Sequence, residues 1–595
     1  MYILGISCFY HESAAALIKD GKIVACSSEE RFSRKKHDSN FPKLAVEFCL
    51  KKAGIAVNDL DYVVFYEKPF WKFARIFQSI LATYPSSSRL FAKSMVTWLT
   101  DKLWVRSIIC DAFKINSEKI LFVPHHISHA ASSFYPSGFD KAAIMTFDGV
   151  GEWTTTTFGT GEGLEINIKK EIKFPHSLGL LYSVFTAFLG FEVNDGEYKV
   201  MGMAPYGKPK YLSKVRKLVK TFPDGSYALN MEYFTFHKSP TKAFGKKFVD
   251  LFGQPRQKDL HFFTKGSGYP SYFGEKPKNY NELCEKNQHY ADIAASIQAL
   301  TEEILLTAAK ILQKETKLEN LCIGGGVGLN SVANGMLLRK SPFKQIFIQS
   351  ASGDDGGALG AALYVYHALL GKKRNFTQDN CYFGAEYTNS EIENFLKEKK
   401  LKYKKIASEE KLTDFLADVL SKNKVVGFFH GRAEWGPRAL GARSILASPV
   451  KKEMKEVVNV KIKFREPYRP FAPVVIAEKA NIYFELEKKE HKHLTNFMLG
   501  VFRVKKTAKK LIPAVTHVDG SARIQIITEV QNKRYYNIIK KFGKKTGVYV
   551  LMNTSFNLKG EPIVNSPENA FNTFKKSGLD ILALENYIIL KEDIV

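Results

Sequence analysis

Nowhere does this chain pair cysteines at the spacing that a zinc knuckle or a redox motif needs. Its seven cysteines (Cys8, Cys26, Cys49, Cys110, Cys284, Cys322 and Cys381) are scattered without a CxxC. That excludes those sites, argues against a disulfide framework and predicts reduced thiols in a cytoplasmic protein. Long apolar runs are missing too. None approaches the ~18–20 residues that span a bilayer, so no transmembrane segment is expected. The first residues carry no basic stretch ahead of an apolar one, and no signal peptide is expected. There is no GxxxxGK[ST] and no well-formed GxGxxG, which excludes the P-loop and the usual dinucleotide fingerprint. His11-Glu12-Ser13 begins like a zinc-protease motif, but no second histidine completes it. Acidic residues are short as well, 60 against 87 Lys and Arg, for a net charge of +27. The excess lies in short clusters such as Lys505-Lys506 and Lys544-Lys545, and no nucleic-acid module accompanies them. A nucleic-acid partner is therefore not expected.

What remains is an ordinary soluble composition, 45% hydrophobic and 25% charged, over 595 residues, enough for two or three domains. The most informative stretch is VPHHISHAASSFYPSGFDKAAIMTFDGVGEW, residues 123–153. His125 and His129 are four apart, so on a helix both imidazoles leave one face and can grip one metal ion. Pro124 suits the helix start. An apolar strand from Ala142 to Phe147 then ends in Asp148-Gly149-Val150-Gly151-Glu152. A carboxylate at a strand end followed by glycines offers a metal ligand and a backbone that phosphates can approach. A histidine pair alone is common by chance; the later Asp and Gly motifs give it weight.

The chain begins as a β-meander: strands at Tyr2–Ser7, Ala14–Ile18 and Ile23–Ser27, with Asp20-Gly21 as a hairpin turn. Ala142–Ile172 repeats that plan. Two strand–turn–strand units with polar turns predict an α/β protein whose N-terminal part is a duplicated nucleotide-binding fold of the actin and sugar-kinase kind (the ASKHA, ribonuclease H-like class). Between the copies, residues 69–113 read as helical and rich in aromatics, Phe70, Trp71, Phe73, Phe77, Trp98 and Trp104 among them. Such a stripe could line an acceptor pocket or meet a membrane surface; the expectation is that it forms the core side of a helical insertion. Ala291–Leu312 has the spacing of a long amphipathic helix. A short strand then meets Gly324-Gly325-Gly326-Val327-Gly328-Leu329-Asn330, a cradle for a nucleotide's sugar or phosphate. A strand at Gln345–Ser350 leads to Asp354-Asp355-Gly356-Gly357, opening a helix that runs through Leu369. Asp148 and Asp354 could then meet His125 and His129. Two imidazole nitrogens and two carboxylates suit iron, manganese or zinc better than Mg²⁺. Residues 371–380 read as a polar linker, placing domains at 1–372 and 381–595. Beyond it lie three loops that carry Arg with Gly or Pro, residues 431–443, 463–470 and 520–523, and a fourth, polar loop at 553–557. Fixed guanidinium forks with bare backbone N–H groups are what a small phosphorylated anion requires.

Taken together the motifs are specific. His11-Glu12-Ser13-Ala14, SEERFSRKKH (Ser28 to His37), HHISHA, FDGVGEW, EYKVMGMAPYG (Glu197 to Gly207), GGVGLN, SGDDGGALGAAL, GRAEWGPRALGARSIL, KFREPYRPFAP and NTSFNLKGEPIV run through nearly the whole chain. It resembles the NodU/CmcH family of O-carbamoyltransferases. The resemblance implies an N-terminal domain similar to the enzyme that completes threonylcarbamoyl-adenosine on tRNA, and a YrdC-like α/β C-terminal domain. It further implies that carbamoyl phosphate and ATP give carbamoyl-adenylate, whose carbamoyl group passes to a hydroxyl of a small molecule or sugar. Matched by position, the metal, iron(II) in relatives, would sit on His125, His129, Asp148 and Asp354. The adenylate would lie against Gly149, Gly151, Lys199, Gly325, Gly326 and Asn330. Carbamoyl phosphate would be held by Arg438, Lys463, Arg465, Arg523 and Ser555. His11, on the first polar turn, would take the acceptor's proton. The match is poorest over residues 60–119 and 211–287, the segments expected to shape the acceptor pocket. A homodimer stays open.

Three other classes share part of this pattern. A sugar kinase would share the N-terminal fold but needs neither the HxxxH pair nor the arginine loops. A tRNA-modifying carbamoyl-transfer enzyme would use the positive charge. A non-enzymatic peripheral membrane protein would rely on Phe70 to Trp104.

Overall fold

The computed structural model describes every residue of the chain except Asp101, Asp259, Pro467, Glu487, Lys488, Lys489 and Val595. Pro467, inside the KFREPYRPFAP run, therefore lies outside the described residues. The chain folds into two compact units. The first comprises Met1–Glu29, Ser39–Leu260 and Asn281–Gln378; the second comprises Glu30–Asp38, His261–Tyr280 and Asp379–Val595. Two stretches that fall inside the expected 1–372 domain thus belong to the second unit.

In the first unit, β1 (Tyr2–Ser7), β2 (Ala14–Lys19) and β3 (Lys22–Ser28) form the antiparallel meander. Asp20 and Gly21 turn its second hairpin with φ of 49° and 78°, the double left-handed geometry of a tight hairpin. β4 (Tyr62–Phe65) and β5 (Ile120–Phe122) then add in parallel, giving the order β3-β2-β1-β4-β5. The plan recurs. β6 (Lys141–Phe147), β7 (Thr154–Glu162) and β8 (Glu165–Lys173) form a second meander. β9 (Val219–Thr221) and β10 (Tyr227–Leu229) make a small separate pair. β11 (Asn320–Gly324) and β12 (Gln345–Ile348) complete the second sheet in parallel, in the order β12-β11-β6-β7-β8. Both sheets therefore carry the same strand order and directions.

β1 is buried from Ile3 to Ser7 and β6 from Ala142 to Phe147, as strands covered on both faces must be. The helix Asp354–Tyr364 is built from small residues, DDGGALGAALY, and that composition sets how closely it packs. A Cβ at Gly360 would run into the carbonyl of Ser128 in the helix His125–Phe134, and one at Gly5 of β1 into the carbonyl of Ala358. The missing side chains let Asp354 reach the two histidines. The predicted amphipathic helix is longer than expected, Tyr280–Thr316, and buries Ile293, Ile297, Leu300 and Ile304 along one side.

Residues 69–113 are helical as predicted, in three pieces: Pro69–Ala82, Ser88–Thr100 and Val105–Phe113. The aromatic stripe faces a core only in part: Trp98 is buried, with the Phe73 ring 6.0 Å away, while Trp104 is exposed. Phe70, Trp71 and Phe77 are exposed, whereas the buried face of the first helix carries Lys72, Arg75 and Ile80.

In the second unit, eight strands form one mixed sheet. In spatial order they are Lys404–Lys405, Tyr587–Leu590, Ile581–Leu584, Val426–Phe429, Arg443–Ala447, Val550–Ser555, Ala472–Ile476 and Gln525–Ile527. A three-stranded sheet, Phe484–Glu485, Val501–Val504 and Ser521–Arg523, accompanies it. The segment Glu30–Asp38 is tied into this unit by its arginines. Arg31 donates to the Gly436 carbonyl at 2.8 Å, and Arg34 to the carbonyls of Ile563 and Pro562, each at 2.7 Å. The segment His261–Tyr280 sets the Phe262 ring edge-on to Tyr468.

Candidate functional site

In the first unit four groups converge. His125 and His129 lie on one face of a buried helix, with their Nε2 atoms 3.1 Å apart. Asp148 follows β6, and its Oδ2 is 3.3 Å from His125 Nε2. Asp354 opens its helix with Oδ1 3.6 Å from Nε2 of both histidines. One ligand atom from each lies within 4.8 Å of all the others, and all four residues are buried.

The outer partners orient these ligands. Asp148 Oδ1 accepts the Gly326 N–H at 2.9 Å, leaving Oδ2 for the cluster. Asp354 Oδ2 accepts the Tyr66 hydroxyl at 3.3 Å, while Oδ1 is buried without a hydrogen-bond donor. Glu152 accepts the His125 backbone N–H at 3.0 Å and that of Lys68 at 2.8 Å, fixing the start of the HxxxH helix. Glu67 lies 3.8 Å from His125 Nδ1 and is paired with buried Lys72 at 2.5 Å. His126 is different: its nitrogens meet the Thr146 hydroxyl and the Thr154 carbonyl, and it has no part in the cluster.

Electrostatically the cluster favours positive charge at its centre. Burial works against the His125 imidazolium, yet the Asp354 and Asp148 carboxylates pull its pKa up to about 9. Burial likewise opposes the Asp148 carboxylate, but His125 and His129 hold it well below the usual range. Two Nε2 lone pairs facing each other beside an undonated carboxylate oxygen fit a divalent cation of the iron, manganese or zinc kind. The residues present suit such an ion.

The second unit holds the opposite arrangement. Lys463, at the end of a widened helical turn, donates to the Ser555 carbonyl at 2.9 Å and to Asn557 Oδ1 at 2.6 Å. Burial lowers its pKa, and Arg465, Arg469 and Lys36 push the same way. Arg523 sits at a strand end with Nε buried and unpartnered. Burial disfavours its charge, and the neighbours whose fields add to that are Arg438, Arg465 and Arg469. Lys463, Arg438, Arg465, Arg469 and Arg523 thus gather largely out of water; Arg469 is paired with Glu466 at 3.3 Å and the field of Glu561 reaches Lys463, while the excess of positive charge around Arg523 suits an anion. The GPRAL turn bearing Arg438 is pinned from three sides. Glu434 accepts the N–H groups of Leu440 and Ala442, Asn553 donates to the Ala439 carbonyl, and Gln525 to that of Leu440. Arg443, by contrast, is spent on the carbonyls of His430, Gly431 and Ala385 and stacks on Phe429, so it supports the loop from beneath.

The profile of the carbamoyltransferase N-terminus matches residues 2–363, and that of the carbamoyltransferase C-terminus residues 417–591. The chain belongs to the carbamoyltransferase family. It is 44% identical to an uncharacterised protein of Synechocystis sp. over 99% of this chain and 97% of that one. With the nodulation protein NolNO of Sinorhizobium fredii it shares 33% over 98% of this chain and 79% of that one. With the 3'-hydroxymethylcephem-O-carbamoyltransferase of Amycolatopsis lactamdurans it shares 34%, over 50% of this chain and 54% of that one. The solved HypF of T. kodakarensis is 14% identical over 62% of this chain and 48% of that one, at a TM-score of 0.30, and bears no argument. The protein is an enzyme that transfers carbamoyl groups. No helix among the described residues is long and apolar enough to cross a membrane.

In this carbamoyltransferase the other predicted positions have distinct surroundings. His11 lies in the β1–β2 turn with Nε2 3.8 Å from Asp354 Oδ2. Gly149 offers its carbonyl to the Ser177 hydroxyl at 2.7 Å. Gly151 packs under His125, whose ring a Cβ there would meet at 2.9 Å, so this glycine makes room for the His125 side chain. Gly325, at φ 89°, lies so close to Phe147 that a Cβ would strike its carbonyl. Asn330 accepts the Ala333 N–H at 3.1 Å as the cap of the next helix. Lys199 lies in a short helix, its ammonium 5.7 Å from the Phe191 ring. Arg465 donates to Asn459 at 3.0 Å, and the Ser555 hydroxyl to Asn557 at 2.7 Å. Tyr66, Glu67 and Lys72 around the histidines had no role in the sequence reading. Glu152, Lys36, Arg469 and Asn557 lay inside motifs already singled out, Arg469 and Asn557 in two of the loops expected to bind a phosphorylated anion, but were given no individual role.

Proposed function

We propose that this carbamoyltransferase makes carbamoyl-adenylate from carbamoyl phosphate and ATP and passes the carbamoyl group to a hydroxyl of a small molecule or sugar. The observation that carries this reading is the division of charge. A cluster dominated by cations suits a phosphorylated anion, and a cluster of imidazole nitrogens and carboxylate oxygens suits a cation beside a nucleotide.

Arg523, Arg438, Arg465 and Lys463 would neutralise the phosphate dianion of carbamoyl phosphate, with Ser555 and Asn557 holding the lysine in place. Water cleaves the bond between the carbamoyl and phosphoryl groups, releasing inorganic phosphate and a proton and leaving carbamate. Its oxygen attacks the α-phosphorus of ATP, pyrophosphate departs, and the mixed anhydride with AMP gives a poorly electrophilic acyl group a good leaving group. In the first unit the Gly325-Gly326 turn and Lys199 would hold the adenylate. His11 would take the acceptor's proton as its oxygen attacks the carbamoyl carbon and AMP leaves. A divalent ion on His125, His129, Asp148 and Asp354 would supply stabilisation of charge developing on phosphate and carbonyl oxygens. Iron(II) is the ion that the family resemblance favours.

The duplicated sheets are read here as the actin-like fold and the second unit as YrdC-like. The hydroxyl is read as the accepting group in line with the name of the Amycolatopsis relative, which specifies O-carbamoylation.

His11→Asn keeps a polar side chain without the titratable nitrogen. The variant is expected to release pyrophosphate from ATP and carbamoyl phosphate while modifying no acceptor, as followed by pyrophosphate assay and product mass in parallel. Loss of both activities together would overturn the assignment of His11 to transfer.

A further inference from the structure

The helix Pro69–Ala82 is inside out. Its buried face carries Lys72 and Arg75, and Lys72 grips Glu67 beside His125. Its outer face carries Phe70, Trp71, Phe77 and Leu81. The exposure continues past Tyr84 into the helix Ser88–Thr100, with Val96 and Leu99, and on to Trp104. Phe70, Trp71, Leu81, Tyr84, Val96, Leu99 and Trp104 are each between 54% and 71% exposed. Scattered apolar residues on a surface need no explanation, but a contiguous run rimmed by charge marks an interaction site.

The rim is of one sign. Lys68, Arg89, Lys93, Lys102 and Arg106 accompany these side chains, and Asp101 is the single acid between residues 68 and 110 of the sequence. Lys68 and Lys102 also cover the Trp71 and Trp98 rings, at 4.4 and 5.7 Å. We infer that this helical face docks on an anionic lipid bilayer, its aromatic and aliphatic side chains entering the headgroup boundary and its cations meeting lipid phosphates. A second copy of the chain fits less well, because a two-fold contact through this face would set cation against cation. An acidic protein would satisfy the charges, but Trp, Phe and Leu side chains exposed along successive helices suit a fluid, deformable partner. Docking of this kind leaves the inner face of the same helix on Glu67 and the metal-ligand cluster.

The test is co-sedimentation of the full-length enzyme with phosphatidylcholine vesicles and with phosphatidylcholine–phosphatidylglycerol vesicles. Binding is expected to the anionic vesicles, to fall steeply with salt, and to be weakened roughly tenfold or more by Arg89→Glu with Lys93→Glu. Trp71→Ser with Leu81→Ser should weaken it comparably, while pyrophosphate release from ATP and carbamoyl phosphate stays at the parent rate, showing that the fold is intact. Equal binding to both kinds of vesicle, indifference to the charge reversal, or a dimer in solution that Trp71→Ser with Leu81→Ser dissolves would each overturn the inference. Vesicle binding does not depend on the carbamoyl-transfer reading, so the two can fail separately.

Discussion

The two clusters are built on opposite logic. Around His125 every inward-facing atom is a lone pair: two imidazole nitrogens and two carboxylate oxygens, with donors kept to the outside, where Tyr66 and the Gly326 N–H meet the far oxygens. Around Arg523 cations predominate; the Ser555 and Asn557 oxygens are taken up by Lys463, and the Glu466 carboxylate by Arg469. A net charge of +27 says little about either. What separates them is which atoms their neighbours have already satisfied. In the first site the Gly326 N–H uses up one oxygen of Asp148 and the Tyr66 hydroxyl one oxygen of Asp354. The second leaves a guanidinium nitrogen unsatisfied.

The contrast can be broken most directly at His129. His129→Ala removes one lone pair of four and should lower bound divalent metal more than about hundredfold, since outer partners alone are worth about 10- to 100-fold. Elemental analysis of the purified variant decides it, and full occupancy would mean that the cluster is not a metal site. At the opposite pole, Arg523→Gln keeps the polarity but deletes the charge. A charged contact is worth about 1.5–3 kcal/mol, so the carbamoyl phosphate requirement should rise roughly ten- to hundredfold while that for ATP barely moves. Equal rises in both would point to a general disturbance of the second unit. The mildest change is Glu152→Gln, which retains a hydrogen-bond acceptor at the start of the HxxxH helix but loses the carboxylate. Metal affinity should fall about tenfold with carbamoyl phosphate dependence untouched. A shift in the latter would contradict the division of labour between the clusters.

How much of this was legible in advance depended on distance along the chain. The i, i+4 histidines, the Asp at the end of β6 and the Asp-Gly-Gly helix start are local patterns, and the structure brings all three together as their spacing implied. The two meanders were readable for the same reason, because short apolar runs such as Tyr2–Ser7 and Ala142–Phe147 are bounded by turns such as Asp20-Gly21. Glu67, Tyr66 and Lys72 were not, because nothing nearby in sequence marks a residue whose only role is to face a helix some sixty positions on. The insertion at residues 69–113 shows a further limit. A 3.6-residue period reveals two faces, and buried Lys72 and Arg75 reverse the usual rule for which one points inward. Segment ownership was equally hidden: SEERFSRKKH follows β3 without a break, yet its arginines belong to the loops around Gly436 and Pro562.

That last feature governs what can be exchanged between family members. The chain passes between its two units five times, at residues 29/30, 38/39, 260/261, 280/281 and 378/379. A gene cut in the polar linker would hand one fragment the arginines and the other their carbonyl partners. A hybrid that joins the first 380 residues of one relative to the remainder of another would pair Arg31 and Arg34 with loops they did not evolve beside. Swapping acceptor preference between relatives is therefore better done by transplanting segments within the first unit than by exchanging halves, with Glu30–Asp38 and His261–Tyr280 kept alongside the C-terminal sequence they serve.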